Sequence, residues 1–189
     1  MLVSASFLSC NQGVRGFFRE VPVMQMGKIL FAVHQGTYVL KLEGEVRVPL
    51  CASLDLFLER MFRDERLGGV FIDLSDSSMV DSTTLGLLAK ISVFLQSHAK
   101  EKAVILSTQE DVTRILKSMG FERVFVILEN QTDYDHEDLA EMPVVNSSDK
   151  EVTHRVIEAH RTLMAMNNEN HQTFLNLVEA LENGQLHER

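Results

Sequence analysis

The stretch Phe71-Ile72-Asp73-Leu74-Ser75-Asp76-Ser77-Ser78-Met79-Val80-Asp81-Ser82-Thr83-Thr84-Leu85-Gly86 opens as a short apolar run and closes as the start of a helix. Val70, Phe71, Ile72 and Leu74 have the composition of a buried central strand, and Gly68-Gly69 in front of them predicts the end of a preceding helix. A polar loop follows. Beyond it Leu85, Leu87, Leu88, Ile91, Phe94 and Leu95 recur at helical spacing through about residue 97, which puts Asp81 or Ser82 at the N-cap. A helix N-terminus carries roughly half a positive charge, and a phosphoserine brings about −1.5 to −2 charge with three acceptor oxygens. Ser82 therefore stands where a phosphate is electrostatically tolerated, with Asp76 and Asp81 opposing it. A plain capping pair accounts for the same residues.

Outward from this stretch the pattern alternates. Ile29, Phe31 and Val33 alternate with other residues, Gly36 makes a turn, and Tyr38, Leu40 and Leu42 alternate again, which predicts a hairpin ended by Gly44. Residues 50–66 place Leu54, Phe57, Leu58 and Met61 on one helical face. After the signature helix come a short strand at Ala103 to Leu106, a helix from Glu110 to Met119 stopped by Gly120, and a last strand from Val124 to Leu128. Strands alternating with helices imply an α/β fold, a mixed sheet with parallel pairs and helices packed on it. No glycine-rich fingerprint opens any of the helices, so the doubly wound nucleotide-binding version is disfavoured.

Three segments, in order, resemble the STAS domain of bacterial anti-sigma factor antagonists. Asp73 to Gly86 is similar to the family signature, in which Asp-Leu-Ser leads through a loop to Asp-Ser-Ser-Gly-Leu-Gly. Leu42-Glu43-Gly44-Glu45-Val46 resembles its strand-and-turn element, and Ile115 to Phe121 with Val124 to Ile127 resembles its closing helix and strand. The resemblance covers about residues 27–128. It implies that Ser82 is the residue a partner kinase phosphorylates, with Thr83 as second candidate, and that Asp76, Ser77, Ser78, Met79, Asp81, Ser82, Thr83, Thr84 and Leu85 form the partner-binding site. The implied partners are an anti-sigma factor and the serine kinase and phosphatase of a partner-switching or phosphorelay system. The outcome is control of sigma-factor availability, with the helical tail pointing to the Gram-negative antagonists of flagellar and biofilm control. Two positions depart from the pattern: Thr84 replaces a glycine and Arg47 an aspartate. The alternative is a STAS scaffold, or a small-ligand (nucleotide) sensing module, without a serine switch.

The 189 residues, 45% hydrophobic, suffice for one core and extra pieces rather than a second full domain. A net charge of −9 and a pI near 5.2 argue against a general nucleic-acid binder, which needs a basic face. No run approaches the roughly 20 apolar residues that span a bilayer. Cys10 and Cys51 form no metal or disulfide pattern, consistent with a reducing cytoplasm and no cofactor. Residues 1–25 lie outside the domain and are expected to be a disordered leader or an early start. Met1 to Cys10 only faintly resembles a lipoprotein signal, lacking a basic region.

After a domain spanning residues 26–128, residues 129–149 are acidic and polar and predict a linker. Ser148 or Asp149 then caps a helix with Val152, Val156, Ala159, Leu163 and Met166 near one face. The pattern pauses at Asn167-Asn168 and resumes with Phe174, Leu175, Leu177, Val178 and Leu181 before Gly184 ends it, giving a helix or helix pair over 150–184. Such a stripe must pack on the domain, on a second copy or on a partner. His154, His160 and His171 have no metal-ligand spacing. Enzymatic chemistry is not expected, because Ser82 has no histidine base assigned to it and His98 lies at the far end of the same helix.

Overall fold

The computed structural model describes residues 27–130 and 138–187, with side chains through residue 184. The leader expected over residues 1–25 lies outside the described residues. The hairpin forms as its alternation predicts: β1 (Lys28–His34) pairs antiparallel with β2 (Thr37–Val46), from Lys28 opposite Glu43 to His34 opposite Thr37. Gln35 and Gly36 at its tip have φ of 49° and 87°, the left-handed pair that a tight two-residue turn requires. Gly44 does not end β2. It sits at φ 67° in a register shift, and the strand continues to Val46 along a new neighbour.

The first helix, α1 (Val48–Phe62), starts and stops earlier than its apolar spacing suggests, because Pro49 favours the first helical turn. The glycines at 68 and 69 do not terminate it. Gly68 donates its N–H to the Gly36 carbonyl at 2.8 Å, and Gly69 begins β3 (Gly69–Asp73). The segment read as loop after β3 contains a fourth strand, β4 (Ser77–Val80), parallel to the far half of β2. Then come α2 (Ser82–Ser97), β5 (Val104–Leu106), α3 (Glu110–Ser118), a 3-10 turn at Phe121–Arg123 and β6 (Val126–Leu128). The main sheet runs β6-β5-β3-β2-β1-β7, parallel except where β1 meets β2 and β7, with β4 attached to β2. This is the mixed α/β architecture read from the alternation.

The acidic connector is not all loop. Ala140–Glu141 forms β7 against Leu30 and Phe31 of β1, and Met142 is buried beside it. From there the chain enters α4 (Asp149–Met166), whose N-cap is Ser148 in a reciprocal capping box with Glu151. Asn167 breaks the helix, and α5 (Asn168–His187) turns back along α4. Gly184 lies inside α5 rather than at its end.

The tail packs on its own domain. Helix α2 is buried around more than half its girth, with Thr83, Thr84, Leu85, Gly86, Leu87, Leu88, Ala89, Ile91, Ser92 and Leu95 all buried, more than one sheet face can cover. Helix α4 supplies the second cover, placing Ile157, Ala159, His160 and Leu163 against it. Burying the large apolar side chains Ile157, Leu163, Phe174 and Val178 stabilises the hairpin by about 1.5–3 kcal/mol each.

Candidate functional site

The site is assembled at the point where two chain segments leave the sheet, β2 into α1 and β4 into α2. Asp81 is the N-cap of α2, and its Oδ1 accepts from the Thr84 N–H at 2.7 Å. Its Oδ2 accepts from the Val48 N–H at 2.8 Å, the first residue of α1. One carboxylate thus closes the N-termini of two helices. Arg47, where the resemblance implies an aspartate, is the exposed N-cap position of α1. Its guanidinium reaches Glu45 at 2.7 Å and the Met79 sulfur at 3.2 Å, bracing β4 from outside. Thr84, in place of a glycine, is fully buried. Its hydroxyl approaches the Val46 carbonyl and the Cys51 sulfur, each at 3.5 Å. Burial around Cys51 pushes its thiol up to about 12, so it is an inert core group rather than a nucleophile.

Below this point a charged cluster holds the signature loop. Lys41 Nζ lies 2.6 Å from Asp76 and 3.6 Å from the fully buried Asp73. Burial disfavours the ammonium, yet the hydrogen bond to Asp76 and the charges of Asp73, Asp76 and Glu43 outweigh it, and Lys41 titrates above its usual value. Asp73 also accepts the Ser75 N–H at 2.8 Å, and the Ser77 hydroxyl donates to the Leu42 carbonyl at 2.7 Å. The loop is therefore fastened from inside.

Of the residues expected at a partner surface, Asp76, Ser78 and Met79 are exposed, while Ser77, Thr83, Thr84 and Leu85 are buried. Asp81 and Ser82 are half-buried. Ser82 is the first residue of α2, but it is not the open helix end that the spacing suggests. Its Oγ lies 2.9 Å from Nε2 of His160 on α4. The imidazole Nδ1 faces the Val156 carbonyl at 2.7 Å, and a carbonyl only accepts, so Nδ1 carries the hydrogen. In the neutral ring Nε2 is then the acceptor for the Ser82 hydroxyl. His160 is 2% exposed, with Phe174 of α5 edge-on to its ring at 4.9 Å.

Sequence reasoning missed this histidine. The signal was present: residue 160 lies four after Val156 and three before Leu163, within the apolar stripe, where a histidine is a buried one with a partner. The partner is a serine 78 positions away. His98, considered and set aside on distance, instead stacks on Phe94. Among the described residues no three His, Cys, Asp or Glu side chains converge as a metal site. No helix among them is long and apolar enough to cross a membrane.

Comparison with known proteins bears on the same region. No curated protein matches the chain. Among solved structures, the anti-sigma factor antagonist SpoIIAA in its unphosphorylated form is similar at 17% identity, over 53% of this chain and 87% of that one, with a TM-score of 0.48. The Bacillus cell-fate determinant SpoIIAA in its phosphorylated form gives 16% identity, 53% and 90% coverage and a TM-score of 0.46. An anti-sigma factor antagonist from Mycobacterium paratuberculosis gives 18%, 56% and 87%, and 0.46. The family model of the STAS domain matches residues 28–138, more than half of the chain and the whole of the sheet from β1 to β6. The chain belongs to the STAS domain family.

Proposed function

We propose that this protein is an anti-sigma factor antagonist switched by phosphorylation at Ser82, a binding module rather than an enzyme. The observation that carries the reading is the placement of Ser82 as the first residue of α2, directly after the Asp81 cap, within a sequence that resembles the family signature. A phosphoryl group there would meet the favourable end of the helix and the unfavourable charge of Asp81; Asp76, expected to oppose it as well, lies at the other end of the extended strand β4 and is paired with Lys41 at 2.6 Å. The exposed residues Asp76, Ser78 and Met79, with Arg47 beside them, form the surface to which an anti-sigma factor or regulatory kinase docks. A dianion set at the margin of that interface weakens it by repulsion and desolvation, and about 1.4 kcal/mol is enough for a tenfold loss of affinity. Regulation of flagella or biofilm formation is the narrower setting to which the C-terminal helices point.

Two features bear on the role of Ser82. The imidazole that faces it, absent from the sequence expectation, is 2% exposed and packed under Phe174 of α5, so a substrate has little access to the pair as it stands. Thr83 and Thr84 are 3% and 0% exposed, which leaves Ser82 as the hydroxyl nearest to solvent in the first turn. The test is peptide mass spectrometry of the protein purified from its own growing cells, wild type against Ser82→Ala. Phosphate on the Ser82 peptide, lost in the variant, is the expected result. An unmodified peptide under every growth condition refutes the switch.

A further inference from the structure

We infer that the α4–α5 hairpin is an autoinhibitory cap on the serine switch: docked, it withholds the Ser82 hydroxyl from a protein kinase, and phosphate on Ser82 in turn keeps it from docking. This deepens the reading of Ser82 as the switch and depends on it.

The cap is held at four places. At Gly86 the backbones of α2 and α4 touch: a Cβ built on Gly86 would lie 2.7 Å from the Ala159 Cβ and closer still to its carbonyl. Beside that crossing, His160 holds the Ser82 hydroxyl. Along the same face Asp55 of α1 joins Lys90 of α2 at 2.8 Å and Arg155 of α4 at 3.5 Å, so one carboxylate links three helices. At the far end the turn between α4 and α5 grips the end of α3. Asn167 and Asn170 both donate side-chain amides to the Met119 carbonyl, at 3.2 and 3.0 Å.

Kinase action and docking exclude each other on steric grounds. In phosphoryl transfer from a nucleoside triphosphate, the bond from Ser82 Oγ to phosphorus forms as the bond from phosphorus to the nucleoside diphosphate breaks. The hydroxyl proton leaves to the kinase's base. That in-line approach needs open space around Oγ, where the docked state has an imidazole nitrogen at 2.9 Å. Once made, the phosphoserine cannot occupy the same gap, and Gly86 against Ala159 gives α4 no slack to move outward while staying packed. Whatever lifts α4 therefore exposes Ser82 to modification, and the modified serine in turn disfavours the docked state.

The test uses the full chain carrying Ser82→Cys, with alkylation by iodoacetamide followed peptide by peptide so that Cys10 and Cys51 are read separately. Position 82 should react slowly, and about tenfold or more faster when Gly86→Ala wedges α4 away, a change equivalent to about 1.4 kcal/mol of docking free energy. Cys51, 2% exposed, should stay protected in both. If Gly86→Ala unfolds the domain, Cys51 reacts as well. Ala159→Leu then supplies the wedge from α4, outside the matched domain. Equal rates at position 82 in folded chains with and without the wedge overturn the cap. In cells, occupancy of phosphate on Ser82 should rise in the Gly86→Ala chain, which keeps its serine. Phosphate on Ser82 at equal occupancy in both chains also overturns the cap. Gated alkylation with no phosphate on Ser82 in any chain refutes the serine switch instead.

Discussion

Replacing Asp81 by alanine should destabilise the domain by about 3 kcal/mol. The carboxylate accepts two backbone N–H groups, from Thr84 at 2.7 Å and Val48 at 2.8 Å, and both donors are helix-start amides with no intrahelical acceptor. Losing a side-chain N-cap costs about 0.5–2 kcal/mol, and hydrogen bonds to a charged acceptor contribute about 1.5–3 kcal/mol. Thr84 is fully buried, so water cannot replace its lost acceptor, whereas Val48 is half-buried and recovers part of its loss. The two together give a value near the middle of the summed range. Asp81→Asn separates the contributions: its amide oxygen still serves one donor, but its NH2 group cannot accept from the other, so about half the loss should remain. Urea unfolding of the full chain, followed by circular dichroism, measures both. A loss below about 0.5 kcal/mol for Asp81→Ala, under the floor for a single cap, refutes the two-helix role, as does an asparagine variant as stable as wild type.

The start and the turn of the hairpin give two further tests. Hydrogen bonds from the Ser148 backbone N–H and hydroxyl hold the Glu151 carboxyl below its usual value of 4.5. A depressed carboxylate contributes fully above that value and loses its contribution as pH falls through the lower folded one. Protection of the first-turn amides of α4 from exchange, taken relative to the intrinsic rate at each pH, should therefore fall below about pH 4.5, and Glu151→Gln should abolish the pH step; a step that survives the substitution counts against the capping box as its source. Asn170→Ala should cost about 1–3 kcal/mol in thermal or urea unfolding, because Asn170 is 2% exposed and its amide satisfies both Met119 and Leu163 carbonyls. A neutral substitution would mean that the turn is not anchored on α3.

The parts of the fold set by local chemistry were legible in the sequence. The Gln35-Gly36 turn between alternating strands, the apolar run into β3 and the Asp81 cap of α2 are each decided within a few residues. Gly120, at φ 80°, stops α3 where its glycine predicts. The errors arose where a distant partner decides the conformation. Ser77-Ser78-Met79-Val80 has too few apolar residues to read as a strand, and it becomes one because β2 runs past its bulge and offers an unpaired edge. Gly44 carries a helix-or-strand stop signal in isolation, whereas in the sheet its positive φ lets β2 change neighbours. At the site, the placement of Asp81 or Ser82 at the start of α2 could be read from spacing. The contact of Ser82 with His160 could not, since it depends on how α4 crosses α2.

The anchoring of β7 gives the hairpin a local concentration. Met142 donates its N–H to the Ile29 carbonyl at 2.8 Å and Val145 to the Ser53 hydroxyl at 2.9 Å, so the chain is fixed to the domain just before α4 begins at Asp149. Residues 146–148 alone form the free leash, with a reach of about 3.5 Å per residue. A lifted α4 therefore stays within a small volume around its own groove, where a short tether corresponds to millimolar effective concentration. A free helix of equal intrinsic affinity would have to be present at that level to take its place. An occupant at ordinary cellular abundance succeeds only by binding far more tightly than α4, or by acting after a covalent change has removed the competitor.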